Sequence, residues 1–244
     1  EGAEQYYDSI QFSDYTHALS KAPIIKAQHP DYEIFKTGIH AQRGVSCADC
    51  HMPYVSEGGV KHSSHHIRSP LASMNNTCQV CHRETEEDLR NSVYERQRSA
   101  DQIRTLAEKE LATAHIEAQF AWEKGATEAQ MHDALQLIRQ SQWRWDYAVA
   151  SHGGSFHSPV EFHRLLSLSL DRAHKARFEI AQILTDLGHT GGVKLPDIST
   201  KDKAQAYIGL DMEMERGNKS KFQETVVPKW LETAKTNNRL VSLK

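Results

Sequence analysis

All four cysteines of this 244-residue chain lie in two copies of one short pattern, CxxCH. The copies are CADCH at 47–51 and CQVCH at 78–82. Two thiols at this spacing can add to the two vinyl groups of one haem, and the histidine that follows can coordinate its iron, so the pattern is typical of c-type haem attachment. We therefore predict two covalently bound haem c groups. The thioether residues are Cys47, Cys50, Cys78 and Cys81, and the first iron ligands are His51 and His82.

Two other uses of paired cysteines are compatible with the same residues. A zinc site built from two CxxC pairs usually has about 15–20 residues between the pairs, whereas 27 residues separate Cys50 from Cys78. Zinc also gives no reason for a histidine after both pairs. A disulfide in a CxxC motif is usually redox-active, and no thioredoxin-like βαβ pattern surrounds these motifs. Haem attachment is the favoured interpretation, with zinc and disulfides as alternatives.

Histidine is abundant in the chain, with fifteen residues, and six of them fall between positions 40 and 82. A c-type haem iron that carries one histidine commonly takes a second axial ligand. The candidates for this second position are His40, His62, His65, His66, His152 and His157. The residue types alone do not choose among them.

Composition excludes some classes of protein. The formal net charge of -3 gives no basic excess for nucleic acid or an anionic membrane surface, so we expect no nucleic-acid partner. No apolar run approaches the roughly 20 residues that a membrane-spanning helix needs. The hydrophobic content of 39% is low for a core of this size, and two haem macrocycles would fill part of the interior. The chain begins at Glu1 rather than Met, which predicts a processed or truncated product.

The pattern of turn formers and apolar residues divides the chain into three segments. Residues 1–82 are rich in turn formers and predict a loop-rich segment that binds haem. Residues 83–190 predict a long-helix bundle, because apolar residues recur at helical spacing over 103–121, over 131–149 and from about 159 to 184. Residues 191–244 predict short helices and a tail. No alternation typical of β-strands is evident, so we predict a mainly α fold in one structural unit.

Six segments of the chain occur in an order and at separations that match a known family. They are KAQHPDYE at 26–33, GIH at 38–40, CADCHMP at 47–53, HHIRSP at 65–70, CQVCH at 78–82 and SHGGSFHSP at 151–159. Together they resemble the pentahaem cytochrome c nitrite reductases, which reduce nitrite to ammonium with six electrons. Members of that family are longer, and their first three haem sites, including the CxxCK motif of the catalytic haem, have no counterpart here. The resemblance implies the C-terminal half of a multihaem cytochrome c, inactive when isolated.

The resemblance also assigns roles to individual histidines. His51 and His157 match the two ligands of the family's fourth haem, and His82 and His40 match those of the fifth. His65 resembles the residue that closes the second haem, which this chain does not attach itself. A shift of one residue in the match would give that role to His66.

The KAQHP segment resembles the active-site segment of the family. His29 matches the histidine above the catalytic haem, where it would act in nitrite reduction without binding iron. Lys26, through its carbonyl oxygen, and Gln28, through its side-chain oxygen, match half of a calcium site, and such oxygens suit this hard cation. Histidine titrates near neutrality and can donate hydrogen bonds to a substrate. Because Pro30 follows His29, we expect His29 to have an extended backbone.

The resemblance further implies the partners of the complete protein. These are nitrite as the substrate, the N-terminal half of the same protein, a second copy in a homodimer formed through the long helices, and a membrane-anchored multihaem quinol dehydrogenase as electron donor. Five haems, calcium and a periplasmic location are implied in the same way. The alternatives are an electron-transfer cytochrome without its own substrate chemistry, a relative of the octahaem nitrogen-oxide or hydroxylamine oxidoreductases, and a zinc-stabilised helical interaction module.

Overall fold

The computed structural model describes residues 2–240 and is mainly helical, as predicted. Residues up to Val193 form one compact unit, and residues from Lys194 form another. The predicted segments 1–82 and 83–190 both lie in the first unit, and most of the predicted tail makes up the second. Within residues 2–240, no helix combines the length and the apolar character needed to cross a membrane.

The part of the first unit that precedes the long helices consists of short elements. They are α1 (Gly2–Ser9), β1 (Tyr15–Thr16), β2 (Pro23–Ile24), α2 (Asp31–Thr37), α3 (Ile39–Gln42), α4 (Cys47–His51), β3 (Tyr54–Glu57), β4 (Val60–Ser63) and two 3-10 turns at Pro70–Ala72 and Cys78–Val80. The strands pair as two antiparallel hairpins, β1 with β2 and β3 with β4. We expected no strands from the sequence, so these hairpins correct that expectation. Gly58 and Gly59 both have positive φ, which a two-residue turn between β3 and β4 requires.

The rest of the first unit contains the long helices, and the second unit contains shorter helices. They are α5 (Glu86–Glu123), α6 (Glu128–Val149), α7 (Gly154–His157), α8 (Pro159–Asp186), α9 (Lys201–Tyr207), α10 (Met212–Thr225) and α11 (Val227–Thr236). The side chain of Thr85 caps α5, and Thr127 forms a capping box with Gln130 at the start of α6. Pro159 occupies the first turn of α8, where its missing N–H costs nothing. Gly125 and Gly188, with positive φ, follow the ends of α5 and α8.

The core of the first unit lies where α8 packs against α5 and α6. Small residues at these contacts let the helix backbones approach closely, and Ser141 and Ser169 hydrogen-bond across the α6–α8 contact. The alanine-rich face of α5, for which we predicted a role in dimer formation, is buried inside this chain: Ala107, Ala114, Ala118 and Ala121 are all fully buried. That face therefore supports the bundle and does not by itself support a dimer.

Buried charged side chains tie the N-terminal segment to the long helices. Arg144 of α6 donates to Glu4 at 3.0 Å and to Asp8 at 2.6 Å, so it holds α1 against the bundle. Arg164 of α8 also reaches Glu4, at 2.5 Å. The indole N–H of Trp122 donates to the carbonyl of Ser20 at 2.8 Å. These contacts fix the segment that leads to the haem motifs.

Candidate haem sites

The first CxxCH motif forms the one-turn helix α4. Ser46 caps this helix: its hydroxyl accepts from the backbone N–H of Asp49 at 3.3 Å, and the Asp49 carboxylate accepts from the N–H of Ser46 at 2.7 Å. The hydrogen bonds from Ser46 lower the pKa of Asp49. Residues three apart on a helix share a face, so this turn presents Cys47 and Cys50 on the same side. Local structure thus provides the arrangement that two thioether bonds to one macrocycle require.

The second CxxCH motif begins with a 3-10 turn, in which residues three apart are eclipsed. The hydroxyl of Thr77 donates to the carbonyls of Ser73 at 3.1 Å and Pro70 at 3.2 Å, which fixes the entry to this turn. Within the described residues no disulfide joins any of the four cysteines. No group of three or more His, Cys, Asp or Glu residues able to hold a metal ion occurs within the described range 2–240, so the zinc alternative gains no support there.

Burial of Cys50 raises the pKa of its thiol, and the nearby Cys78, Cys47 and Cys81 add to the shift. The thiols of both motifs thus contribute to the environment of Cys50. Haems attached at such neighbouring motifs would be placed near each other, which suits electron transfer between them.

The fold brings four of the predicted histidine ligands together in two pairs. The ring centroids of His51 and His157 are 6.2 Å apart, and those of His40 and His82 are 6.3 Å apart. His51 and His157 are far apart in the sequence, so their pairing depends on the fold. These are the same pairs that the family resemblance implied.

The spacing of both pairs fits a haem iron held between two imidazoles. A metal–imidazole bond is about 2.0–2.1 Å long, and a five-membered ring with bonds of about 1.33 Å has a radius of about 1.1 Å. Two ring centres on opposite sides of one iron are therefore about 6.3 Å apart. Both observed distances agree with this value, so the residues present fit a bis-histidine haem at each motif.

A hydrogen-bond acceptor orients the first proximal histidine, and a carboxylate stands near the ring of the second. Nδ1 of His51 lies 3.0 Å from the carbonyl oxygen of Arg68, and this oxygen can only accept, so Nδ1 carries the proton. Nδ1 of His82 lies 3.6 Å from a carboxylate oxygen of Glu84. A proton held on Nδ1 leaves the lone pair of Nε2 available to a metal.

Partial burial of His157 and His40 favours their neutral forms, which are the forms that could bind a metal. Burial lowers the pKa of His157, and the nearby His51 lowers it further. Burial also lowers the pKa of His40, with smaller contributions from His82 and Arg96. Because a metal competes with protons for the same nitrogen, a low pKa favours binding of the metal.

Two glycines that the sequence reasoning treated only as breakers make room for His157. A Cβ atom added at Gly153 would lie 2.2 Å from Cε1 of the His157 ring, and one added at Gly38 would lie 1.8 Å from its carbonyl oxygen. Neither glycine has a positive φ: Gly153 has φ -99° and Gly38 has φ -86°. The requirement for glycine at both positions is therefore steric. In the sequence, the only indication of this requirement is that both glycines lie close to histidines, in GIH and SHGGSFH.

Apolar and aromatic side chains stand exposed around the motifs, which the sequence reasoning also missed. The ring of Phe156 stacks on His40 with centroids 5.6 Å apart. Exposed apolar residues close in sequence to the motifs and their histidine partners are Ile39, Tyr54, Ile67, Val80 and Val160. Exposed apolar side chains of this kind can contribute to a binding surface. A haem macrocycle is apolar and would cover these side chains when bound.

The remaining candidate histidines are not paired with another ring. His65 and His66 are both exposed in the segment after β4, and His62 is exposed on β4. His152 is exposed, with Nδ1 3.9 Å from the Asp31 carboxylate. The structure thus does not choose between His65 and His66 as the ligand of a haem attached elsewhere.

The predicted active-site segment lies between β2 and α2, with Lys26, Gln28 and His29 all exposed. His29 has φ +54°, so the expectation of an extended backbone before Pro30 is wrong. Pro30 is buried at the N-cap of α2, and this anchoring outweighs the local preference. A non-glycine residue with positive φ is strained, and such strain concentrates at functional sites. The turn projects the His29 side chain into solvent.

A family model and several curated proteins match this chain in sequence. The cytochrome c552 family model matches residues 1–238. Proteins called cytochrome c-552 are similar to the chain: that of Bacteroides fragilis is 65% identical over 243 residues and that of Desulfotalea psychrophila is 48% identical over 240 residues. These matches cover 100% and 98% of this chain but only 49% and 47% of those proteins, so the chain spans about half the length of the curated relatives it matches.

A solved structure is also similar. It is the cytochrome c nitrite reductase from Desulfovibrio desulfuricans, whose catalytic subunit is described as having two calcium sites. It matches with a TM-score of 0.70 and 34% sequence identity, over 78% of this chain and 43% of that chain.

Proposed function

Because this chain belongs to the cytochrome c552 family, we propose that it forms part of an ammonia-forming cytochrome c nitrite reductase and holds two of its haem c groups. The observation that carries the proposal is the presence of two histidine pairs with centroids 6.2 and 6.3 Å apart, each including the histidine of a CxxCH motif. The similarity to a solved cytochrome c nitrite reductase supports the substrate.

In this proposal the chain holds its haems covalently and closes both faces of each iron. Cys47 and Cys50 carry one macrocycle, with His51 and His157 as the ligands. The second macrocycle is carried by Cys78 and Cys81, with His82 and His40 as the ligands. When bound, such a haem supplies one-electron redox chemistry. With two histidines for each iron, these sites would leave no room for substrate and would serve electron transfer.

His29 serves the substrate chemistry in this proposal. Its exposed imidazole can donate a hydrogen bond to an oxygen of nitrite and deliver a proton as N–O bonds break. The strained turn at His29 fixes the direction of the side chain. The Lys26 carbonyl and the Gln28 side-chain oxygen would hold a calcium ion that stiffens this turn, and carbonyl and amide oxygens suit that ion.

The complete protein in this proposal is pentahaem, and the present chain corresponds to its C-terminal half. The other half carries the catalytic haem and the remaining calcium ligands, so this chain alone does not reduce nitrite. His65, or His66 beside it, ligates a haem attached to that other half. The coverage of about half of the relatives' length agrees with this arrangement.

We also propose a homodimer, a periplasmic location and a membrane-anchored multihaem quinol dehydrogenase as the electron donor. For the dimer, the face of α8 that carries Phe178 offers an apolar contact, because this side chain is 62% exposed. Sedimentation of the complete protein at micromolar concentration as a dimer is the expected result, and sedimentation as a monomer would remove this part of the proposal.

The central test combines a spectrum with an activity assay on the full-length protein. We expect low-spin iron at both motifs in the intact protein and, after proteolysis, one haem on each of the peptides that contain 47–51 and 78–82. We expect ammonium as the product of nitrite reduction by a chemical electron donor. Haem on only one of the two peptides, or high-spin iron at either motif, would contradict the assigned ligands.

The second candidate function is electron transfer without substrate chemistry, and the closed histidine pairs favour it because neither iron has a free position. Such a cytochrome would show the same spectra but would form no ammonium from nitrite. An octahaem-type oxidoreductase would differ in its haem content. The turnover assay and the haem count therefore separate the three.

A further inference from the structure

Arg139 is a buried cation on α6 whose partners are backbone carbonyls. The residue is only 3% exposed. Its Nη1 donates to the carbonyl of Pro23 at 3.1 Å, and its Nη2 donates to the carbonyls of Phe12 at 2.7 Å and Ile10 at 3.2 Å. Arg144, on the same helix, instead pairs with carboxylates of α1. The two buried arginines therefore hold different parts of the N-terminal segment.

The carbonyls that Arg139 binds belong to both arms of the first hairpin. Ile10 and Phe12 precede β1, whereas Pro23 is the first residue of β2. One guanidinium thus ties the two arms to each other and to α6. A guanidinium can do this because its N–H groups point outward from a rigid plane, whereas the ammonium of lysine is a compact charge on a flexible stem.

The active-site segment 26–29 starts directly beyond this anchor. Ile24 and Ile25 are buried, and the N–H of Lys26 donates to the carboxylate of Asp14 at 2.8 Å. At the far end, the Asp31 carboxylate of α2 accepts from the N–H of Gly153 at 3.4 Å. Between these fixed ends the side chains are exposed, so the direction of His29 depends on where the ends are held.

We propose that Arg139 is a positioning residue for nitrite reduction, which sets the placement of segment 26–29 and so the direction of the His29 imidazole. The inference rests on the proposed function for its link to nitrite, but the link between Arg139 and the segment stands on the hydrogen bonds alone. Loss of the guanidinium leaves three carbonyls without their donor, and the strained turn at His29 can then relax because β2 is held to α6 less firmly.

The test uses Arg139→Lys and Arg139→Ala in the full-length holoprotein, with Arg144→Lys as the matched control. Hydrogen exchange followed by mass spectrometry reports on peptides that cover residues 24–32 and 2–9. We expect the first peptide to exchange about tenfold faster in both Arg139 variants. In Arg144→Lys we expect the faster exchange in the second peptide instead. Haem spectra should stay unchanged in all three variants.

Turnover supplies the second readout. The Arg139 variants should lose kcat for nitrite by about tenfold or more, as small misplacements of a proton donor do. Millimolar guanidinium ion should restore part of the lost kcat to Arg139→Ala, because it can occupy the vacated space and bind the same carbonyls. A loss of general stability alone would not be restored in this way.

Three results would overturn the inference. They are wild-type exchange of peptide 24–32 in Arg139→Lys, equal loosening of that peptide in Arg144→Lys, and failure of guanidinium ion to restore kcat to Arg139→Ala. If the wild-type protein forms no ammonium, the proposed function fails, and the exchange comparison still decides whether Arg139 positions the segment.

Discussion

Substitution of Gly153 by alanine should remove one haem ligand without unfolding the protein. The backbone of Gly153, with φ -99° and ψ 2°, is open to alanine, so the effect comes from the added methyl group. That group would lie 2.2 Å from Cε1, 2.5 Å from Nδ1 and 2.9 Å from Nε2 of His157. It therefore occupies the space that the imidazole needs.

The size of the displacement follows from these distances. Carbon atoms in contact are about 3.5 Å apart or more, so the ring must retreat by about 1.3 Å from the new methyl group. Ligand distances at a metal are held to within about 0.2 Å. The retreat exceeds this tolerance several times over. The ring is the end of a rotatable side chain, so moving it costs only about 1 kcal/mol of rotamer energy.

The assay is the optical and electron paramagnetic resonance spectrum of the Gly153→Ala holoprotein. We expect the haem on His51 to change from low spin to high spin while the haem on His82 stays low spin. Added imidazole should return the first haem to low spin by taking the empty position. Gly192→Ala is the matched control, because nothing lies within 4 Å of a Cβ at that glycine. A low-spin spectrum for both haems in Gly153→Ala would refute the assignment of His157.

Gly38→Ala makes the complementary comparison. Its Cβ would lie 1.8 Å from the carbonyl oxygen of His157, a backbone atom that cannot rotate away. We expect a loss of folding stability of about 1–3 kcal/mol or more, as overpacking produces. If Gly38→Ala and Gly153→Ala have the same free energy of unfolding, the backbone clash at Gly38 costs no more than the ring clash at Gly153. That result would contradict this prediction.

Three further outcomes are expected. His29→Asn in the full-length protein should cut ammonium formation by roughly a hundredfold and leave the haem spectra unchanged, because asparagine tolerates the positive φ found there; unchanged turnover would return His29 to an ordinary surface role. Burial, helped by the nearby His17, lowers the pKa of His115 to about 3, below its unfolded value of about 6.5; stability should therefore fall as the pH drops from about 6.5 towards 3, and His115→Gln should weaken that dependence in acid-unfolding curves. Ile138→Ala, at a fully buried position, should lower the free energy of unfolding by about 2–5 kcal/mol in denaturant titration, whereas Leu106→Ala, 55% exposed, should change it by less than about 0.5 kcal/mol.

The helices were predictable where their apolar residues follow the helical period. The pattern from Met131 to Val149 falls within α6, and the one beginning at Pro159 marks the start of α8. The pattern from Ile103 located only the C-terminal part of α5, because its first turns are polar and mostly exposed. Adjacent glycines such as Gly58 and Gly59, both with positive φ, signal a hairpin turn as well as a break in a helix.

At the site, spacing within the chain indicated the thiols and the proximal histidines, because their geometry is local. The distal partners could not be chosen from residue types, since His157 meets His51 only through the packing of α7 beside α2 and α5. Family resemblance supplied that choice. The role of Arg139 could not be predicted for the same reason. A single arginine in a helix is typical of a solvent-exposed charge, and only the fold brings the carbonyls of the hairpin segment to its guanidinium.

If each histidine pair holds one haem, as we propose, that haem is a cross-link between distant points of the chain. An iron held by His51 and His157 closes a loop of roughly 100 residues, which in the chain-entropy model of disulfides stabilises the folded state by about 4.7 kcal/mol. The link between His40 and His82 closes a shorter loop, for about 4 kcal/mol. The two loops share residues 51–82. When one link is broken, the other link still constrains this stretch. Any small ligand that displaces a distal histidine therefore loosens the topology of the chain as well as altering its redox chemistry.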